Sequence, residues 1–146
     1  LTTEENDRKG QRSTIEFLGF SLFISKRKTS RGIKAVFKTQ SKKLRKSIEQ
    51  TKIDLKRIMH QDLEDQAMVL EDKLKGHFNY YGLPGNIYSL TKYYYKLINM
   101  WKDFLSRRTR DHYITWDVLN KLIEKMRVPR PKLKITYWSM RKYVIL

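Results

Sequence analysis

Two stretches of helical period meet at Gly82-Leu83-Pro84-Gly85-Asn86, and this short interruption constrains the fold more than any other feature. Before it, Leu63, Ala67, Leu70, Leu74, Phe78 and Tyr81 recur three or four residues apart; after it, Ile87, Leu90, Tyr94, Leu97, Trp101 and Leu105 do the same. Such spacing puts each set on one helix face. Gly and Pro stop the first helix, and Asn86 is a good N-cap for the second. The pattern predicts a helical hairpin whose two inward stripes share one core.

Flanking segments extend this core. From Ser41, the positions Leu44, Ile48, Leu55, Ile58 and Met59 form an apolar stripe, predicting a helix ahead of the hairpin. Thr115 is placed to cap a fourth helix, with Leu119, Leu122, Ile123 and Met126 inward and Asp117 near its positive end. Val128-Pro129-Arg130-Pro131 breaks that pattern. Upstream, Ile15 to Ile24 reads as one strand and Ile33 to Lys38 as a second, joined by a polar loop from Ser25 to Gly32. Residues 1–13 are polar, without apolar period, and read as loop. The expected fold class is α+β, mainly α: an N-terminal β-hairpin followed by a three- to four-helix bundle. A hairpin alone is marginal, so it must pack on something. Leu1 stands where a methionine would begin a reading frame, which suggests a piece of a longer protein.

Charge narrows the partner. The 146 residues carry 32 Lys and Arg against 15 Asp and Glu, a net +17. That balance favours a nucleic acid over an anionic membrane surface. No apolar run approaches the roughly 20 residues that span a bilayer, and no secretory signal opens the chain. Residues 41–60 hold 7 basic and 2 acidic side chains, whereas 61–85 hold 2 and 5. An acidic helix inside a basic protein either packs on a basic neighbour or faces away from the nucleic acid.

Three groups of residues suit such a partner. Lys42, Lys43, Arg45, Lys46, Lys52, Lys56 and Arg57 dominate the first helix, with Arg45, Lys52 and Lys56 on one flank by 3.6-residue geometry. A solvated helix face is the plainer reading, but only Glu49 and Asp54 offset these seven. Tyr80, Tyr81, Tyr88, Tyr93, Tyr94 and Tyr95 are the second group. The stripes turn Tyr81, Tyr94 and, most weakly, Tyr88 inward, leaving Tyr80, Tyr93 and Tyr95 for stacking on bases beside Lys92 and Lys96. The plainer reading for each is helix packing with its hydroxyl in water. Arg107, Arg108 and Arg110 end the third helix, where cations also suit the helix dipole, and Arg130 extends the basic track.

Catalytic sets cannot be assembled from these residues. The absence of cysteine removes disulfides and thiolate zinc sites, and His60, His77 and His112 lack metal-ligand spacing. His77 reads as a packed helix residue. No Gly-rich phosphate loop, nucleophile triad or strand-borne carboxylate pair is present, so no enzyme activity and no cofactor are expected of this chain alone.

Phe17-Leu18-Gly19-Phe20, then a basic helix, Gly76-His77-Phe78-Asn79-Tyr80-Tyr81, an aromatic helix with Trp101, Arg107-Arg108 and Pro129-Arg130-Pro131 follow in order. This order resembles group II intron-encoded reverse transcriptase/maturases over roughly residues 15–131. The resemblance implies that residues 1–40 end a reverse-transcriptase palm and that 41–131 form a thumb-like, maturase-specific domain X. Residues 132–146 would be a basic tail or the start of a DNA-binding region. It further implies binding to group II intron RNA and to RNA/DNA template–primer duplex, with Phe17, Leu18, Gly19 and Phe20 near a primer grip. The rest of the palm and fingers would be a partner, and a bacterial cytoplasmic or organellar ribonucleoprotein the setting. The Tyr-x-Asp-Asp motif is absent, so magnesium-dependent polymerisation would reside elsewhere in a parent protein. A thumb from a non-intron bacterial reverse transcriptase and an unrelated basic helical module are the rival expectations.

Overall fold

The structure is a computed structural model that describes residues 14–26 and 33–139. The expected loop at 1–13, residues 27–32 of the expected Ser25–Gly32 loop and the end of the basic tail, 140–146, lie outside the described residues, while Ser25 and Lys26 belong to a strand rather than a loop. Strands β1 (Thr14–Phe17), β2 (Phe20–Lys26) and β3 (Ile33–Thr39) form an antiparallel sheet in that order. Four helices follow: α1 (Ser41–Ile58), α2 (Leu63–Tyr81), α3 (Ile87–Arg108) and α4 (Trp116–Lys125). The fold is thus α+β and mainly helical, with the sheet ahead of the bundle. Among the described residues, no helix is long and apolar enough to cross a membrane.

The first expected strand is broken in two. Phe17 pairs with Phe20 across a two-residue turn at Leu18 and Gly19, whose φ values are 50° and 85°. Two consecutive positive φ values match the right-handed twist of the flanking strands, as in type I′ hairpin turns. Leucine is uncommon in that conformation, so the β-rich run around it gave no sign of a reversal. The expected hairpin is therefore a three-stranded meander.

α1 and α3 start side by side, run the same way and pack directly on each other, with α2 running back against both. At one end Thr39, just before α1, is bonded to Asn86, just before α3; at the other, Arg108 of α3 donates to the Gln61 carbonyl after α1. Asn86 precedes α3 as expected but does not cap it. Its amide is instead a buried staple, accepting from Thr39 N at 2.9 Å and donating to Thr39 Oγ1 and the Tyr81 carbonyl, each at 2.8 Å. One side chain thereby ties β3, the end of α2 and the start of α3 together. Thr115 caps α4 as its sequence predicts, accepting from Val118 N.

α3 is the hub. Its buried residues, Ser89, Leu90, Tyr93, Tyr94, Leu97, Ile98, Trp101, Phe104 and Leu105, form a stripe wider than a two-helix hairpin needs. α1 and α2 both pack against it, and Leu119, Ile123 and Val128 from α4 and its exit close the same core. The fully buried Trp101 donates from Nε1 to Gln66 Oε1 at 3.0 Å, so its one polar atom is satisfied.

Residues after Pro131 return to the sheet end. Lys134 N and Ile135 N both donate to the Gly82 carbonyl, and the Tyr137 hydroxyl donates to the Ala35 carbonyl at 2.7 Å. A Cβ at Gly82 would lie 2.3 Å from the Phe78 carbonyl oxygen and 2.8 Å from Lys134 N, so this close approach requires glycine. The described part of the tail is thus a strap on the fold.

Candidate nucleic-acid interface

α1 separates its functions by face. Leu44, Thr51 and Leu55 are buried, and Ile48 and Ile58 are half-buried on the same stripe. Every basic residue of the helix, Lys42, Lys43, Arg45, Lys46, Lys52, Lys56 and Arg57, is exposed. The apolar residues repeat every three or four positions, which leaves the exposed surface mainly to cations, shared with Glu49, Gln50 and Ile53. Asp54, one of the two acids on this helix, pairs with Lys73 of α2 at 2.5 Å. That ion pair and the Gln50 amide hold the Asp54 carboxyl below its ordinary range. It runs against the net charges: the basic helix supplies the acid and the acidic helix the base.

The tyrosines divide differently from the sequence expectation. Tyr93 is 2% exposed; its hydroxyl meets Thr51 Oγ1 at 3.0 Å and its ring stacks on His77, with centroids 3.7 Å apart. Burial pushes its phenol up from the usual value. Tyr93 is therefore corrected from base-stacking candidate to core residue, because α3 is contacted from two sides. Tyr94 is buried as expected, and the Arg130 guanidinium partly offsets the upward push of burial on its phenol. Tyr88 and Ile87, drawn inward on the sequence stripe, are exposed instead. Tyr95 remains open at 54%, beside exposed Lys92 and Lys96.

Tyr80 is a junction residue. It is 53% exposed, but its hydroxyl donates to the Leu18 carbonyl at 2.9 Å and its ring lies parallel to Phe20, 6.0 Å away. Phe20 also meets Tyr81 and Phe37 edge-on. The four residues from Phe17 to Phe20 consequently do not form one surface: Phe20 anchors the sheet to α2, while Phe17 and Leu18 project outward, 65% and 64% exposed. Glycine suits position 19 because its φ is 85°, and a Cβ there would crowd the Tyr81 hydroxyl at 3.0 Å.

The arginines at the end of α3 are partly occupied. Arg108 holds the Gln61 carbonyl at 2.8 Å, and Arg107 lies over the Phe104 ring at 5.5 Å. Arg110 and Arg130 are exposed. Because Arg108 reaches the loop after α1, the Arg107–Arg110 cluster sits at the same end of the bundle as Lys56 and Arg57. The structure thus brings Lys56 and Arg57 of α1 to the end that carries the α3 arginines, whereas Lys42, Lys43, Arg45 and Lys46 lie at the other end of the helix. Sequence periodicity missed the Asn86 staple and the Gly82 strap, whose partners lie about 50 positions apart and carry no periodic signal.

His77 is 7% exposed, and burial lowers its imidazole to about 4. The unfolded chain, with an ordinary histidine near 6.5, then binds a proton that the fold excludes between those values. Stability should therefore be complete above about pH 6.5 and fall as pH drops toward about 4. Urea denaturation of wild type and His77→Phe across that range checks this: the wild-type slope should be steeper, and parallel slopes would contradict it. Compared with protein-family models, curated proteins and solved structures, the chain has no match in any of the three.

Proposed function

We propose that this chain is the RNA-gripping thumb/maturase portion of a group II intron-encoded reverse transcriptase. In this reading it stabilises folded intron RNA for splicing and holds template–primer duplex during copying. The observation that carries the reading is the α1 face, where seven exposed cations stand on a helix whose opposite side is locked into the core. Phosphates are bound by such a surface through charge and release of counterions, without reading base sequence. Structured RNA is recognised largely by backbone shape, which suits a rigid helix more than a flexible tail. Lys92, Tyr95 and Lys96 on α3, and Arg107, Arg108, Arg110 and Arg130, all exposed, would add to the contacts. The exposed Phe17 and Leu18 would face primer, and the palm carrying the metal-binding carboxylates would pack nearby. The order of motifs along the chain is what favours this family over other basic helical modules.

Binding of the 146-residue chain to a folded group II intron RNA tests the proposal. Fluorescence anisotropy should show the folded intron bound at least about tenfold more tightly than an unstructured RNA of equal length. Equal affinity for the two would remove the maturase reading and leave only a basic nucleic-acid binder.

A further inference from the structure

α1 and α2 do not close fully on each other. Between them lies a pocket of ≈ 430 Å³, lined by Lys43, Lys46, Gln50, Lys73, Gly76 and His77 among others. That volume is in the range of sites that take small organic groups. Lys73 is already paired with Asp54, and Asp72 also borders the pocket, so its uncompensated positive charge sits on the α1 side at Lys43 and Lys46.

Two of the lining residues are poorly explained by the fold alone. In the unbound chain Nε2 of His77 is closed off from solvent and has no hydrogen-bond partner among the described residues, a condition that calls for an explanation in a protein interior. The stack on Tyr93 and the contact with Tyr81, with ring centroids 4.6 Å apart, fix the imidazole in place. Gly76 is the second. It lies well inside α2, where glycine weakens a helix, yet a Cβ there would meet nothing within 4 Å. Packing does not demand glycine at this position. Gly76 lines the pocket, and its absent side chain leaves that wall open.

The ligand chemistry follows from these groups. Burial keeps the imidazole neutral at ordinary pH, so it suits the hydrogen-bonding edge of a base better than a phosphate. The two lysines at the rim suit a phosphate. We infer that this pocket receives one unpaired nucleotide of the bound RNA, with its phosphate on Lys43 and Lys46 and its base edge on His77 and Gln50. This rests on the RNA-binding reading and adds to it a site that distinguishes interrupted helices from continuous ones. A protein using it would settle on RNA where a single base leaves the stack, at a modest unstacking cost.

An RNA hairpin bearing one bulged nucleotide, made in four versions with A, C, G or U, tests the inference against the same hairpin fully paired. At a fixed salt concentration, at least one bulged version should bind the 146-residue chain about tenfold more tightly than the paired hairpin. Gly76→Met places a flexible side chain on the pocket wall at a site with open space. It should erase that preference while leaving the affinity for paired RNA within about twofold, the scale of a surface change. Gly76→Ala should keep the preference and raise the thermal midpoint. Four bulged versions bound no better than paired RNA would overturn the inference alone, as would a preference that survives Gly76→Met. Failure to bind any hairpin would overturn the RNA-binding reading together with it.

Discussion

Asn86→Ala is expected to remove about 3 kcal/mol of stability, because it deletes three hydrogen bonds and strands buried partners. The buried Thr39 amide loses its side-chain acceptor, which costs about 1–3 kcal/mol, while the Tyr81 carbonyl keeps its bond from Leu83 N. Asn86→Ser separates this account from a simple capping role. Ser is as good an N-cap as Asn, so a cap would survive the change nearly intact. A staple would not, since the shorter hydroxyl cannot serve β3, α2 and its own helix together. Equilibrium urea denaturation should therefore show Asn86→Ser nearly as unstable as Asn86→Ala. A loss under about 1 kcal/mol for the serine variant would return Asn86 to an ordinary cap. Tyr88→Ala, at a site 73% exposed on the same turn of α3, should change little and serves as the reference.

The second large effect concerns binding. Lys42, Lys43, Arg45 and Lys46 are exposed and make no ion pair among the described residues. Converting all four to Ala should leave the fold in place, since Ala is the best helix former and the buried stripe is untouched. RNA affinity should fall by about two orders of magnitude at physiological salt, because each lost phosphate contact removes one released counterion. Partial replacement at Lys52 and Lys56 should add to the loss without changing which RNA is preferred, as these contacts position rather than read.

Much of this architecture is legible in the sequence because it is local. The apolar period of α1, the Asn86 start of α3, the Gly82–Gly85 stop and the Thr115 cap all act within one or two helical turns. What sequence reasoning misses is decided between elements. Tyr93 sits beside the narrow stripe drawn from Leu90, Tyr94 and Leu97, and only the packing of α1 and α2 against α3 widens that stripe to enclose it. Leu18 at positive φ hides a turn inside a strand-like run. Asn86 has the residue type of a cap and the work of a staple, a distinction its neighbours in sequence do not carry. The candidate interface shows the same split. The α1 cations follow from period and charge, whereas the engagement of Arg108 with Gln61 and of Tyr80 with Leu18 depends on segments 47 and 62 positions away.

The central claim is that the α1 face grips RNA through its phosphates. The dependence of affinity on salt, measured for wild type and for the quadruple alanine variant of Lys42, Lys43, Arg45 and Lys46 on one folded intron RNA, tests it most directly. Log affinity should fall linearly with log salt for both, and the variant's slope should be shallower by about 3. Identical slopes would contradict the account and take the phosphate grip away from α1.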